Sequence, residues 1–266
     1  MESRIKYLLK FGERKYIEDL PKGILYFSNA KTFRGIEKDM KIKGQGDIQE
    51  GAFLFNTYML TINGKLVYNS TVTKDVLKMI GIIEAANNIP VYCLYAVLED
   101  DCNVEDDGKV KINLSEKTIR SHFPNADAVA VINNPECFMK ELEDSIDGEV
   151  KSGLVHYFYT DGELKADNGF PATDLNYAKF ITNDQLIQVA PSEGAEVELI
   201  LDFDFVDSSK LLFAKDDYYK DEQEFRIILT NKSIDGGKGF PFETSLQIPV
   251  IDLDKFFKEM CVKSYE

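Results

Sequence analysis

With 266 residues, 44% of them hydrophobic and 29% charged, the chain is long enough for a substantial core and is not a disordered protein. Its formal net charge of -15 repels phosphate backbones over most of the surface and argues against non-specific nucleic-acid binding. Cys93, Cys102, Cys137 and Cys261 are scattered, with no Cys-x-x-Cys and no adjacent histidine, a spacing that fits neither zinc nor a disulfide framework. The charged N-terminus has no apolar h-region and no window reaches membrane-spanning length, so a cytoplasmic protein with no membrane partner is expected.

In chain order, Ile5 to Phe11 reads as a first strand and Glu13 to Leu20 as a short helix ended by Pro21 and Gly23. Ile24 to Phe27 gives a second strand. Ser28-Asn29 then caps a helix from Ala30 to about Met40 that is expected to bury Phe33, Ile36 and Met40. A polar loop with Gly44, Gly46 and Gly51 follows; it lacks the Gly-Lys-Ser/Thr of a P-loop. Phe53 to Ile62 and Lys65 to Val72, separated by Asn63-Gly64, predict a hairpin with a type I′ turn. The spacing of Val76, Leu77, Ile80 and Ile83 predicts a helix over 75–86.

Ile89 to Leu98 is almost wholly apolar, as a central strand buried on both faces would be. The acidic runs 99–101 and 105–107 read as solvated loops without the register of a calcium site. Ser115 caps a helix to Phe123, Ala126 to Ile132 is another buried strand, and Asn134-Pro135 opens a helix to about Ile146. Val150 to Tyr159 and Asp161-Gly162 suggest a second hairpin. A polar stretch over 165–184 leads to strands near 186–190, 197–205 and 211–213. After a glycine-rich loop at 236–239, a last strand is expected over 245–251, and Asp252 caps an amphipathic helix to Val262. The pattern is that of one mixed α+β domain over 1–266, strand-rich in its second half.

Chemistry-bearing residues concentrate at 218–230, Tyr-Tyr-Lys-Asp-Glu-Gln-Glu-Phe-Arg-Ile-Ile-Leu-Thr. Strand alternation puts Glu222, Glu224 and Arg226 on one face and Phe225, Ile227 and Leu229 on the other. Either the charged face is solvated, as on most alternating strands, or it lines a cleft and its carboxylates do chemistry. His122 and His156 are the only histidines; a lone histidine in such a context is more often packed or solvent-facing than catalytic. At the N-terminal strand-to-helix corner, Tyr26, Ser28 and Arg34, with Asp47 in the loop beyond, place polar and aromatic groups where α/β proteins often meet ligands. The bland counterpart is that Phe27 and Phe33 are core and Ser28 only a cap.

Tyr-Phe-Ser-Asn with Arg34, Gly-Asp-Ile-Gln-Glu-Gly at 46–51 and the Glu222–Arg226 strand together resemble an uncharacterised bacterial and phage family. The match covers the two ends of the chain and implies a unit without an activity. Glu222-Gln223-Glu224 is also similar to the Glu-x-Glu turn of ADP-ribosyltransferases, whose second glutamate holds the nicotinamide ribose. Arg4 and Ser28 are the available stand-ins for that fold's early-strand cation and middle-strand serine, but the Ser-Thr-Ser motif is missing.

The resemblance implies an NAD-consuming effector acting in phage conflict or as a toxin. Glu224 would be its catalytic carboxylate and Glu222 the acceptor-orienting partner. Arg226 or Arg34 would be the phosphate or network cation, Tyr26 would stack on nicotinamide, and the partner would be a nucleotide or a protein target. On this picture Glu224→Gln abolishes turnover and changes stability by no more than ~1 kcal/mol. Two alternatives stand beside it. One is a non-catalytic interaction or sensor module with the strand as an ion-pair ladder. The other is a metal-dependent nuclease using Asp47, Glu222 and Glu224, which the acidic charge and the Arg at 226, in place of a lysine, disfavour.

Overall fold

A computed structural model describes residues 4–40, 49–57, 59–62, 65–69, 77–105, 109–158, 175–185, 187–189, 198–200 and 206–261. The Asn63-Gly64, Asp107-Gly108 and Asp161-Gly162 turns, and the loop residues 41–48 with Asp47 among them, lie outside that set. Helices and mainly antiparallel strands make this an α+β fold, as the sequence predicts. The contacts divide the chain into two compact units, 1–48 with 88–155 and 219–266, and 49–87 with 156–218.

The chain opens in the first unit with β1 (Ile5–Gly12), α1 (Arg14–Ile17), β2 (Ile24–Phe27) and α2 (Ala30–Met40). It crosses to the second unit for β3 (Ala52–Thr57), β4 (Met59–Ile62), β5 (Lys65–Asn69), β6 (Leu77–Ile82) and α3 (Glu84–Asn87). Back in the first unit come β7 (Val91–Leu98), β8 (Cys102–Val104), β9 (Val110–Ile112) and α4 (Glu116–His122), then β10 (Ala128–Ile132), α5 (Pro135–Ser145) and β11 (Val150–Leu154). The second unit resumes with β12 (His156–Phe158), α6 (Leu175–Ile181), β13 (Ile187–Val189), β14 (Glu198–Ile200), α7 (Ser208–Leu211) and β15 (Ala214–Asp216). A 3₁₀ turn over Asp217–Glu222 leads into β16 (Glu224–Leu229), followed by β17 (Lys238–Pro241), β18 (Val250–Asp252) and α8 (Leu253–Met260).

The first unit is built on a six-stranded sheet of order β11-β16-β7-β1-β10-β18, antiparallel throughout. An antiparallel sheet often leaves one face wet; this one is covered on both. On one side Leu8, Tyr92, Leu94, Phe225, Ile227 and Leu229 pack with Ile17 of α1, Leu25 and Phe27 of β2 and Phe138 and Leu142 of α5. On the other, Leu9, Phe11, Tyr95, Val97, Val129 and Val131 pack with Ile119 of α4 and Leu253, Phe256 and Phe257 of α8. That is why β7 and β10 are apolar at nearly every position: each successive side chain enters one core or the other.

The helices begin where their caps predict. Ser115 accepts from Thr118 N at α4, Asn134 Oδ1 accepts from Cys137 N at α5, and Asp252 accepts from Asp254 N and Lys255 N at α8. At α2 the cap is Asn29: its Oδ1 accepts from Thr32 N at 2.8 Å, while its Nδ2 donates to Ile234 O at 2.7 Å. Phe33 and Ile36 of that helix are half-buried rather than core.

Several expectations are corrected. Of the segment read as a helix over 75–86, the described residues 77–82 form strand β6, paired antiparallel with β3 from Ala52↔Ile82 to Thr57↔Leu77, and a helical turn begins only at Glu84–Asn87. Ile80 and Ile82 are β-branched, and Gly81 lets the Phe53 ring lie close to the backbone, so strand pairing outweighs a chance helical spacing. The strand expected at 211–213 gives way to α7, which Asp207 caps by accepting from Ser209 N at 2.9 Å; the strand forms at 214–216 instead, parallel to β12. The strand expected over 245–251 shortens to β18. Ahead of Pro249 the chain is held by Glu141, which accepts from Thr244 Oγ1 at 2.8 Å. The 236–239 loop in turn contributes β17, antiparallel to β2. The hairpin expected between 53–62 and 65–72 is shorter: β4 pairs β5 from Met59↔Asn69 to Ile62↔Lys65, while 52–57 pair with β6.

The second unit keeps its own core of Phe53, Phe158, Tyr177, Ile181 and Leu211, with Tyr177 Oη donating to Ala52 O at 3.4 Å.

Candidate active site

Strand β16 lies between β11 and β7, with Glu224 opposite Tyr95 and Arg226 opposite Cys93. Residues facing each other across an antiparallel pair share a sheet face, so Glu224 and Arg226 lie on the α4 and α8 side while Phe225, Ile227 and Leu229 enter the opposite core. The division of faces expected from alternation is therefore right. The solvated face is not: Glu224 is 6% exposed and Arg226 1%. Nor is Glu222 on the strand. It ends the 3₁₀ turn at 7% exposure, separated from Glu224 by Gln223, whose φ of +38° is in the left-handed region. Gln223 is fixed there by its carbonyl, which accepts from Ala96 N at 2.8 Å.

The two charges on the strand neutralise each other. Arg226 Nε donates to Glu224 Oε1 at 2.8 Å and an Nη donates to Oε2 at 3.0 Å, a two-point pair within one strand. Across the ladder lies the Cys93 thiol; burial, and after it the Glu224 charge, push that thiol well above its usual range against the pull of Arg226 and Lys10. Lys10 lies on the other face of the sheet, beside Tyr92. Its Nζ donates to Cys93 O at 2.7 Å and sits 4.6 Å from the Tyr92 ring centroid. Burial lowers the Lys10 pKa, partly offset by Cys93 and Glu224.

The group that sequence reasoning set aside is His122. As the last residue of α4 it faces the 3₁₀ turn, with Nδ1 3.6 Å from Glu222 Oε1 and both side chains largely buried. Asp221 beside it acts on Tyr95, whose hydroxyl is pushed up by burial first and then by Asp101 and Asp221. Nothing in the sequence ties His122 to Glu222 a hundred positions later; only the packing of α4 over the sheet brings them together.

The other predicted residues fall elsewhere. Tyr26, 63% exposed, points outward from β2, whose Phe27 packs into the core on the Phe225 side. Tyr26 and Glu224 thus lie on opposite sides of the sheet. Ser28 pairs by its backbone with Val91, with N–O distances of 3.0 and 2.7 Å; Val91 is four residues, about 13 Å of strand, from the Tyr95 opposite Glu224. Arg34 is half-buried on α2. Arg4 makes an exposed ion pair with Glu136 at 2.7 Å. Asp47 lies outside the described residues.

Among the described residues no group of three or more His, Cys, Asp or Glu side chains is arranged to hold a metal ion, and no helix is long and apolar enough to cross a membrane. No protein-family model, no curated protein and no solved structure matches the chain.

Proposed function

We propose that this chain is an NAD-consuming enzyme of the ADP-ribosyltransferase-like kind, with Glu222 and Glu224 as its working carboxylates. One observation carries the reading: Glu222, Glu224, Arg226 and His122 are gathered, nearly out of water, at one end of β16. Buried ion pairs are a poor way to stabilise a sheet centre, where apolar residues of similar size usually do as well or better. Charged groups retained at such a place are better accounted for by chemistry. The positive φ of Gln223 between the two glutamates adds to this, because backbone strain concentrates at working sites.

Cleaving the nicotinamide bond develops oxocarbenium character at the ribose carbon, which a preoriented carboxylate stabilises. Arg226, by holding both Glu224 oxygens, fixes that orientation and serves as the network cation. Tyr26, on the far side of the sheet, drops out. The test combines NAD titration with nicotinamide release, at a temperature where native and Glu224→Gln proteins are both folded by circular dichroism. NAD at ~100 times its dissociation constant adds about 2.7 kcal/mol of stability, visible as a melting shift. A saturable shift with release by the native protein alone supports the reading; no shift at millimolar NAD overturns it.

A second reading, a non-catalytic interaction module with Glu224 and Arg226 as structural partners, is favoured by the occupation of both carboxylate oxygens by Arg226. It predicts that no NAD binds and that Glu224→Gln alters only stability or partner binding.

A further inference from the structure

We infer, resting on the NAD-consuming reading, that His122 is the proton acceptor for the attacking nucleophile and that Glu222 is the residue that positions it. The geometry is that of a carboxylate–imidazole dyad. Glu222 Oε1 lies 3.6 Å from Nδ1 of His122, slightly beyond hydrogen-bond range. Such contacts are commonly long before substrate arrives and tighten in the complex. A carboxylate on Nδ1 fixes the tautomer that leaves Nε2 able to accept a proton.

Three further features fit. The only polar contact the imidazole makes among the described residues is with Glu222. Glu222 is held in place by the 3₁₀ turn and by the Gln223 carbonyl bonded to Ala96 N. His122 closes α4, a helix anchored in the core through Ile119 and tied to α8 by the Arg120–Asp254 pair. The histidine thus stands on a helix packed into the core and the glutamate on a turn bonded to β7, the kind of support a positioned proton acceptor requires.

The step balances as follows. The bond between the ribose C1′ and the nicotinamide nitrogen breaks, and its electron pair leaves with neutral nicotinamide. A water oxygen bonds to C1′, and its proton passes to Nε2 of His122 and from there to solvent. The products are ADP-ribose, nicotinamide and one proton. The acceptor class is thus a neutral O–H nucleophile, water or a hydroxyl, which must lose a proton on attack. An anionic nucleophile needs no such acceptor.

That difference is the test. Native protein, His122→Gln and His122→Asn are compared for NAD binding by thermal shift and for product by chromatography, with and without added azide. The expected result is native hydrolysis, unchanged NAD binding in the variants, a loss of hydrolysis of at least ~100-fold, and ribosyl-azide formation by the variants at a rate approaching native turnover. Native protein that hydrolyses NAD while both variants hydrolyse it as fast overturns the role of His122 and leaves the NAD reading standing. Variants that bind NAD but use neither water nor azide also overturn it, since the histidine would then act on something other than the nucleophile. Native protein that neither binds nor consumes NAD removes the reading itself, and the inference with it.

Discussion

Replacing Arg226 by methionine should be among the most destabilising single changes available in this chain. The substitution keeps most of the side-chain volume and removes the two contacts, at 2.8 and 3.0 Å, that neutralise Glu224. Breaking a buried pair from one side costs about 3–5 kcal/mol, because the remaining charge is stranded. Counting two charge-assisted hydrogen bonds at about 1.5–3 kcal/mol each reaches the same range. For a chain of this size that corresponds to a melting shift of roughly 6 °C or more.

Glu224→Gln should fall in the same range, since it strands the guanidinium instead. This revises the ~1 kcal/mol that a solvated or cleft-lining face would imply. The double variant Glu224→Leu with Arg226→Met removes both charges and should lie within about 2 kcal/mol of native, or above it. Urea unfolding followed by circular dichroism and tyrosine fluorescence, free of tryptophan because the chain has none, gives the full mutant cycle. Single variants that each cost under about 1 kcal/mol, or a double variant that costs the sum of the two, would refute the buried-pair account.

Two further outcomes follow from other parts of the first unit. Gly23 has a φ of +78°, and a Cβ there would come within 2.4 Å of Phe242 O; Gly23→Ala should therefore cost more than about 1 kcal/mol in the same urea assay, and a neutral result would show that the short 3₁₀ turn Leu20–Lys22 before β2 relaxes freely. Burial lowers the Lys10 pKa, so between that lowered value and the ordinary lysine value the unfolded chain binds more protons than the folded one. Stability attributable to Lys10 then rises with pH through that window, and the penalty is greatest below it. The stability difference between Lys10→Met and native protein should shrink as pH climbs through the alkaline range; a pH-independent difference would contradict the burial.

Much of the framework was legible because it rests on local signals. The α4, α5 and α8 starts follow from Ser115, Asn134-Pro135 and Asp252, each of which makes its cap bond. The β4–β5 hairpin follows from two β-rich runs around Asn63-Gly64, and β7 from an apolar run too continuous for a half-exposed strand. The failures are non-local. Segment 77–82 carries a helical spacing and a strand composition at once, and its pairing with β3 decides between them. Segment 211–213 yields to a cap at Asp207.

The candidate site was half legible for a related reason. Alternation along β16 separates Glu224 and Arg226 from Phe225, Ile227 and Leu229, but it does not say what covers each face. Whether a polar face is wet depends on what packs over it, which alternation along the strand does not encode. Once buried, the charges must be paired. Arg226 then has a different role from a surface cation: its fork matches the Glu224 carboxylate two residues earlier on the same strand face, a match that a lysine ammonium would make only as a point charge. Glu222, set off from the strand by the positive φ of Gln223, lies beside His122. The short Glu-Gln-Glu-Phe-Arg segment thus yields two different carboxylates, one fixed by a guanidinium and one beside an imidazole, and the backbone turn at Gln223 separates their roles.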